Sequence, residues 1–105
     1  MAPDVLPICA AEVVLRVLRG RWALTIMAVV AEHGPIHFLA IGRQVPGISN
    51  KVLADQLRYL LRAGVVHRSS AEERQEVFYE LTARGREVRT ALDGLNDLAR
   101  RWPDL

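Results

Sequence analysis

The apolar residues of this chain recur at helical spacing almost from its start. Val13, Val14, Val17 and Leu18 form a first run from Cys9 onward, and Gly20 breaks it. Pro3 and Pro7 keep the preceding segment extended. A second helix is expected from near Arg21 to Glu32 or His33, where Gly34-Pro35 stops it. Leu24, Met27, Ala28 and Ala31 share one face of that helix, while Ile26, Val29 and Val30 sit on others. A helix apolar nearly all round is expected to be central and buried. Phe38 begins a short third helix with Leu39, Ile41 and Gly42. Val45-Pro46-Gly47 ends it, because a residue before proline avoids the helical region. Ser49 is a natural N-cap for a fourth helix. There Leu53, Leu57, Leu60 and Leu61 form an apolar stripe, and Lys51, Asp55, Arg58 and Arg62 occupy the opposite face until Gly64.

The period then changes from helical to alternating. Val65–Ser69 and Val77–Leu81 are dense in β-formers and read as two strands of a hairpin. The polar stretch Ser70–Glu76 is its expected loop and lacks the Asn-Gly signal of a tight turn. Thr82 caps a long last helix reaching Arg101 or Trp102, with Val88, Leu92, Leu95, Ala99 and Trp102 on one stripe, widened by Ala91 and Leu98. Three helices, a hairpin and a terminal helix are the element order of a winged helix-turn-helix. The expected fold is therefore mainly α with a small β-hairpin wing. The helix from Ser49 to Arg62 is its recognition helix.

Residues 1–105 are expected to form one domain, since a chain this size suits a single core. The one cysteine permits no intrachain disulfide and fits a reducing compartment. The longest nearly uncharged apolar run, Trp22–Ala31, is too short to span a bilayer, so no membrane partner is expected. Asp4 precedes any Lys or Arg, unlike the basic start of a signal peptide, and a cytoplasmic location is expected. Net charge is only +2, unevenly spread. Residues 1–36 are neutral and residues 69–105 carry −2. Residues 37–68 carry Arg43, Lys51, Arg58, Arg62 and Arg68 against Asp55 alone. A basic middle points to a polyanion, though scattered solvated charges would give the same count.

Double-stranded DNA is the expected partner. Asn50 and Gln56 have the groups to pair bidentately with adenine, and Lys51 and Arg58 to read guanine or hold phosphate. Ser49 stands at the helix N-terminus, whose partial positive charge suits phosphate. Arg43 and His37 flank the third helix as further phosphate contacts, and Arg74 is the wing's basic candidate beside Gln75. Asp55 either accepts from cytosine or pairs with Lys51 one turn away; pairing is the favoured reading. Trp22 is a core anchor or the wall of a ligand pocket. Val13, Val17, Leu92, Leu95 and Trp102 are expected to form a dimer interface, because a long terminal helix exceeds what so small a domain covers. Glu32, His33 and His37 invite a metal reading, but Gly34-Pro35 breaks the helix that would align the histidines. No metal or cofactor is expected. The sequence also lacks a phosphate loop, a nucleophile elbow or paired carboxylates in an apolar segment, and an enzyme is not expected.

The sequence resembles the HxlR-type transcriptional regulators of the broader MarR-like winged-helix group. The resemblance runs from Cys9 to Trp102 and rests on Gly20-Arg21-Trp22, Gly34-Pro35-Ile36-His37-Phe38 and Pro46–Leu53. Leu57, Leu60, Gly64-Val65-Val66-His67-Arg68 and Tyr79–Gly85 complete it. It implies a cytoplasmic homodimer that binds a roughly palindromic operator, often in response to electrophiles, oxidants or small aromatic effectors. It also points to Cys9 as a redox-sensing thiol, whose place at a helix start would favour thiolate. A small buried apolar residue is the alternative. The chain departs from the family pattern at three places. Ala10 follows Cys9 where proline is usual, His37 stands where arginine is usual, and the wing lacks a proline pair. The wing instead holds Glu72, Glu73 and Glu76, poor neighbours for phosphate. With the small net charge, this motivates an alternative: a winged-helix protein-interaction module without specific DNA binding.

Overall fold

The computed structural model describes residues 10–18, 20–71 and 76–104. Cys9, Arg74, Gln75, Glu72 and Glu73 lie outside the described residues, as does the segment holding Pro3 and Pro7. In chain order the elements are α1 (Ala11–Val17), α2 (Ala23–His33), β1 (Ile36–His37), α3 (Phe38–Gln44), α4 (Asn50–Arg62), β2 (Val66–Ala71), β3 (Glu76–Leu81) and α5 (Ala83–Arg101). The architecture is the winged helix-turn-helix that the element order implied.

α4 forms where the leucine stripe requires it. Leu53, Leu57 and Leu60 are fully buried, while Lys51, Asp55 and Arg58 face solvent. Each buried leucine contributes roughly 2 kcal/mol relative to exposure. The helix begins as expected, with the Ser49 hydroxyl accepting from the Val52 N–H at 3.1 Å. It ends in a Schellman turn: the Val65 N–H donates to the Leu60 carbonyl at 3.2 Å and the Gly64 N–H to Leu61 at 3.0 Å. Gly64 sits at φ +77°, a left-handed conformation that side chains resist.

α2, expected to be central and buried nearly all round, is buried on one side only. Its buried residues are Ala23, Ile26, Met27 and Val30, spaced i, i+3, i+4 and i+7. On the face shared by Leu24, Met27, Ala28 and Ala31, Met27 is buried, Ala28 and Ala31 are half-buried and Leu24 is 45% exposed. A helix apolar on several faces carries no preferred side, so the elements packed against it choose one. Trp22 holds the N-cap position, half-buried against the core, with the Arg21 guanidinium 4.5 Å from its ring centroid.

A strand absent from the expected pattern, β1, joins the hairpin. The sheet order is β1-β3-β2, with both pairings antiparallel. Ile36 pairs with Tyr79 and His37 with Phe78. Two residues carry no periodicity, so only the partner strand reveals β1. The hairpin ladder is also longer than expected, because Ser70 pairs with Val77 and Ala71 with Glu76. Ser70, Ala71 and Glu76, expected in the loop, therefore lie in strands, and Val65, expected to open the strand, instead closes the α4 turn.

The start of α5 docks on that turn. The Thr82 hydroxyl donates to the Gly64 carbonyl at 2.6 Å and accepts from the Gly85 N–H at 3.0 Å. The Thr82 N–H reaches the Val65 carbonyl at 3.1 Å. A methyl group on Gly85 would lie 2.0 Å from that same carbonyl oxygen, whereas one on Gly94 would meet nothing within 4 Å. The two glycines of α5 should therefore respond oppositely to alanine. Gly85→Ala should destabilise the protein by about 3 kcal/mol through a backbone clash. Gly94→Ala should stabilise it by about 0.5–1 kcal/mol through helix propensity. Urea midpoints at one protein concentration check both signs.

Candidate nucleic-acid interface

The exposed side of α4 carries a row of charged side chains. Lys51, Asp55 and Arg58 lie at i, i+4 and i+7, and the buried leucines hold them outward. Lys51 Nζ donates to Asp55 Oδ2 at 3.1 Å, and Arg58 Nη2 donates to the other oxygen, Oδ1. The expected Lys51–Asp55 pair is present; the second pair with Arg58 was not anticipated. Ser49 and Asn50 are exposed at the head of the helix, on the approach to Lys51. Gln56 is half-buried and turned away from the middle of the row.

The other expected contacts lie around α3. Arg43 is exposed in its last turn, and His37 precedes its first residue. The two line a shared open recess of about 400 Å³ together with Leu39 and Val77. His37 is half-buried because its ring packs against Phe78, with centroids 4.1 Å apart. Arg68, exposed on the edge strand β2, was counted in the basic stretch but not singled out as a contact. It lines a smaller recess with Arg58, over Phe38, Leu57 and Tyr79. Its position in the basic segment was the available signal; the β2–α4 contact that brings it beside Arg58 was not readable from the chain.

A second surface lies on the terminal helices. No residue of α1 is buried, and Val13, Leu15, Leu95 and Trp102 are each about half exposed. Val17 and Leu92 lean against the core instead. Between α1 and α5 runs an apolar groove of about 580 Å³, floored by Val17, Val65 and Val88, with Arg84 and Glu87 also lining it. The Tyr59 hydroxyl donates to the Arg16 carbonyl at 2.7 Å, tying α1 directly to α4. Among the described residues no group of His, Cys, Asp or Glu could hold a metal ion. None of the described helices is long and apolar enough to cross a membrane.

A capped helix seated by an apolar stripe, with a polar outer face and a β-hairpin beside it, defines a winged helix-turn-helix DNA-binding module. The chain belongs to the HxlR-like helix-turn-helix family, whose model matches residues 17–105. It is 33% identical over 92 residues to the HTH-type transcriptional regulator YtcD of Bacillus subtilis (strain 168), covering 87% of this chain and 69% of that one. Its fold is similar to a crystal structure of a MarR-family transcriptional regulator from Enterococcus faecalis V583. That match has a TM-score of 0.85, 28% identity, and covers 98% of this chain and 94% of the other. It is also similar to the redox regulator HypR in its reduced form, with a TM-score of 0.79, 26% identity, and coverage of 89% and 92%. The protein is a transcriptional regulator of the HxlR and MarR type. Its relatives are named as regulators, and no enzymatic family is indicated.

Asp55 gives the outer row a pH signature. The Lys51 hydrogen bond chiefly lowers its pKa; partial loss of water opposes this, and the Lys51 charge and the Arg58 hydrogen bond add to it. Because the folded value lies below the unfolded one, the pairing is complete above the unfolded pKa and is lost only as pH falls through the lowered folded value. Carbon-13 NMR titration should find the Asp55 carboxyl below the usual carboxylate range. In Lys51→Met it should move back up. An unshifted Asp55 in the unaltered protein would mean that the ion pairs do not form in solution.

Proposed function

We propose that the protein acts as a homodimeric regulator that binds a roughly palindromic operator through two copies of α4. The observation that carries this reading is the outward row on α4, where Lys51 and Arg58 stand exposed on a helix whose opposite side is locked into the core. A major groove admits a helix presented this way. Asn50 at the head of the helix offers an amide to adenine, and Ser49 lies where the helix N-terminus meets phosphate. Arg43, His37 and Arg68 would hold the flanking backbone, with Arg74 and Gln56 in lesser roles.

The dimer reading rests on α1 and α5. An α1 with no buried residue, next to an apolar groove, exposes apolar surface that a second copy would remove from water. In that arrangement Val13, Leu95 and Trp102 face the partner, while Val17 and Leu92, packed against the core, contribute their exposed edges. A twofold axis there sets two α4 helices about one DNA turn apart. An effector acts in this scheme by shifting the relative population of dimer geometries. The likeness to HypR, named a redox regulator, supports a thiol as the input, and Cys9 is the one thiol available.

Fluorescence anisotropy tests the DNA reading, using a labelled duplex from the protein's own upstream region, unrelated competitor and a salt series. The expected outcome is competitor-resistant binding that weakens steeply with salt. Replacing Lys51 and Arg58 together with alanine should reduce affinity by at least about tenfold and lower the salt slope by about one per lost phosphate contact. Binding no tighter than to unrelated duplex at every salt would instead favour a protein partner for the exposed row. Sedimentation tests the dimer. Val13→Asp and Leu95→Asp should each convert a dimer to monomer while leaving the helical spectrum intact, and a monomeric unaltered protein would overturn the interface.

A further inference from the structure

Within residues 37–68, Asp55 is the sole acidic side chain among five basic ones, and it stands between Lys51 and Arg58 on the outward side of α4, with Arg62 one turn further along. Each of its carboxylate oxygens takes one of them, Lys51 on Oδ2 and Arg58 on Oδ1. All three side chains are solvent-exposed, at 86% for Lys51, 45% for Asp55 and 61% for Arg58. Nothing in the folding of the core needs these pairs, because the stripe of Leu53, Leu57 and Leu60 seats the helix from the other side. Exposed pairs of this kind are weak and exchange readily. Their effect falls on whatever approaches the row.

We propose that Asp55 is a specificity-determining residue of the DNA contact, holding Lys51 and Arg58 back from phosphate and releasing them only to base edges that also satisfy its carboxylate. The inference rests on the reading of α4 as the recognition helix. A phosphate offers acceptors alone. It must compete with the carboxylate for each cation and is repelled by it at close range. A base step offers both halves of the exchange. Guanine O6 and N7 accept from Arg58 or Lys51, and the exocyclic amino group of cytosine or adenine donates to Asp55. From Lys51 to Arg58 the row spans roughly 10 Å along the helix axis, about three base-pair steps. The chemistry that recognises it is therefore a guanine flanked by an amino-bearing base. A bare run of phosphates does not meet it.

The test measures anisotropy for two duplexes across a salt series: one of random sequence, and one selected by the unaltered protein from a random pool. Asp55→Asn keeps size and helix position while removing the charge, and circular dichroism confirms its fold. It should bind the random duplex roughly 3- to 10-fold more tightly, with a salt slope steeper by about one. The selected duplex should change less, so the ratio of the two affinities falls. In a Lys51→Met background the same substitution should give a smaller gain, because one of the two held cations is gone. Unchanged random-duplex affinity and slope in Asp55→Asn would overturn the proposal, and so would equal tightening on both duplexes. If the unaltered protein binds neither duplex in a salt-dependent way, the DNA reading of α4 itself fails and takes this one with it. That outcome is distinct from an inert Asp55 in a protein that does bind.

Discussion

Leu53, Leu57 and Leu60 leave water along one side of α4, and this burial decides where every charged group of that helix points. A helix turns 100° per residue, so residues three and four apart share a side and those between face away. Fixing three leucines in the core fixes Lys51, Asp55 and Arg58 outward without any contact made by the charges themselves. Ile26, Met27 and Val30 of α2 and Ile41 of α3 are buried in the same core cluster. The ends of α4 are closed locally, by the Ser49 hydroxyl at one and the Gly64 turn at the other. Its length and its orientation thus have separate causes: the caps set the first and the stripe sets the second.

The turn after α4 is also where the rest of the molecule is joined to that helix. Gly64 and Val65 offer their carbonyls to Thr82, and the backbone of Gly85 rests against Val65. Arg84 adds a bond to the Ala63 carbonyl at 3.0 Å. One short stretch of main chain therefore holds the end of α4, the root of the hairpin and the start of α5. At the other side, Tyr59 ties α4 to the Arg16 carbonyl of α1. Of the helices proposed to meet a second copy, α1 is thus bonded to the helix proposed to meet DNA and α5 to the turn that ends it. A change in how α1 and α5 pack has a short route of hydrogen bonds to the spacing of two α4 helices.

The charge distribution is restrained for a protein with this architecture. A net +2 and a single acid placed inside the basic stretch leave little long-range attraction to spare for arbitrary sequence. Binding that depends on short-range complementarity follows from such a surface more naturally than binding by bulk charge. Arg43 and Arg68 sit to either side of the row, on α3 and β2, without acidic partners among the described residues. On the helix, Lys51 and Arg58 share Asp55, whereas Arg62 has no ion pair among the described residues.

By itself the sequence determined the elements whose cause is local. The stripe of α4 at i, i+4, i+7, its Ser49 cap, the Gly64 stop and the Thr82 cap of α5 all depend on residues within a few positions of one another, and all are present. The Lys51–Asp55 pair was legible for the same reason, one helical turn apart. What depends on a distant partner was not. The buried side of α2 could not be read, because a helix apolar on several faces is oriented only by what packs against it. β1 became a strand only through Tyr79 and Phe78, more than forty residues away. The same glycine residue type is indispensable at position 85 and unconstrained at position 94, because Val65 crosses one and nothing approaches the other. His37 and Arg68 acquired their neighbours in the same way, from strand pairing and from packing across the chain. Local spacing encodes which side of a segment is apolar; only the assembled core decides which apolar side is chosen and which distant residues stand beside one another.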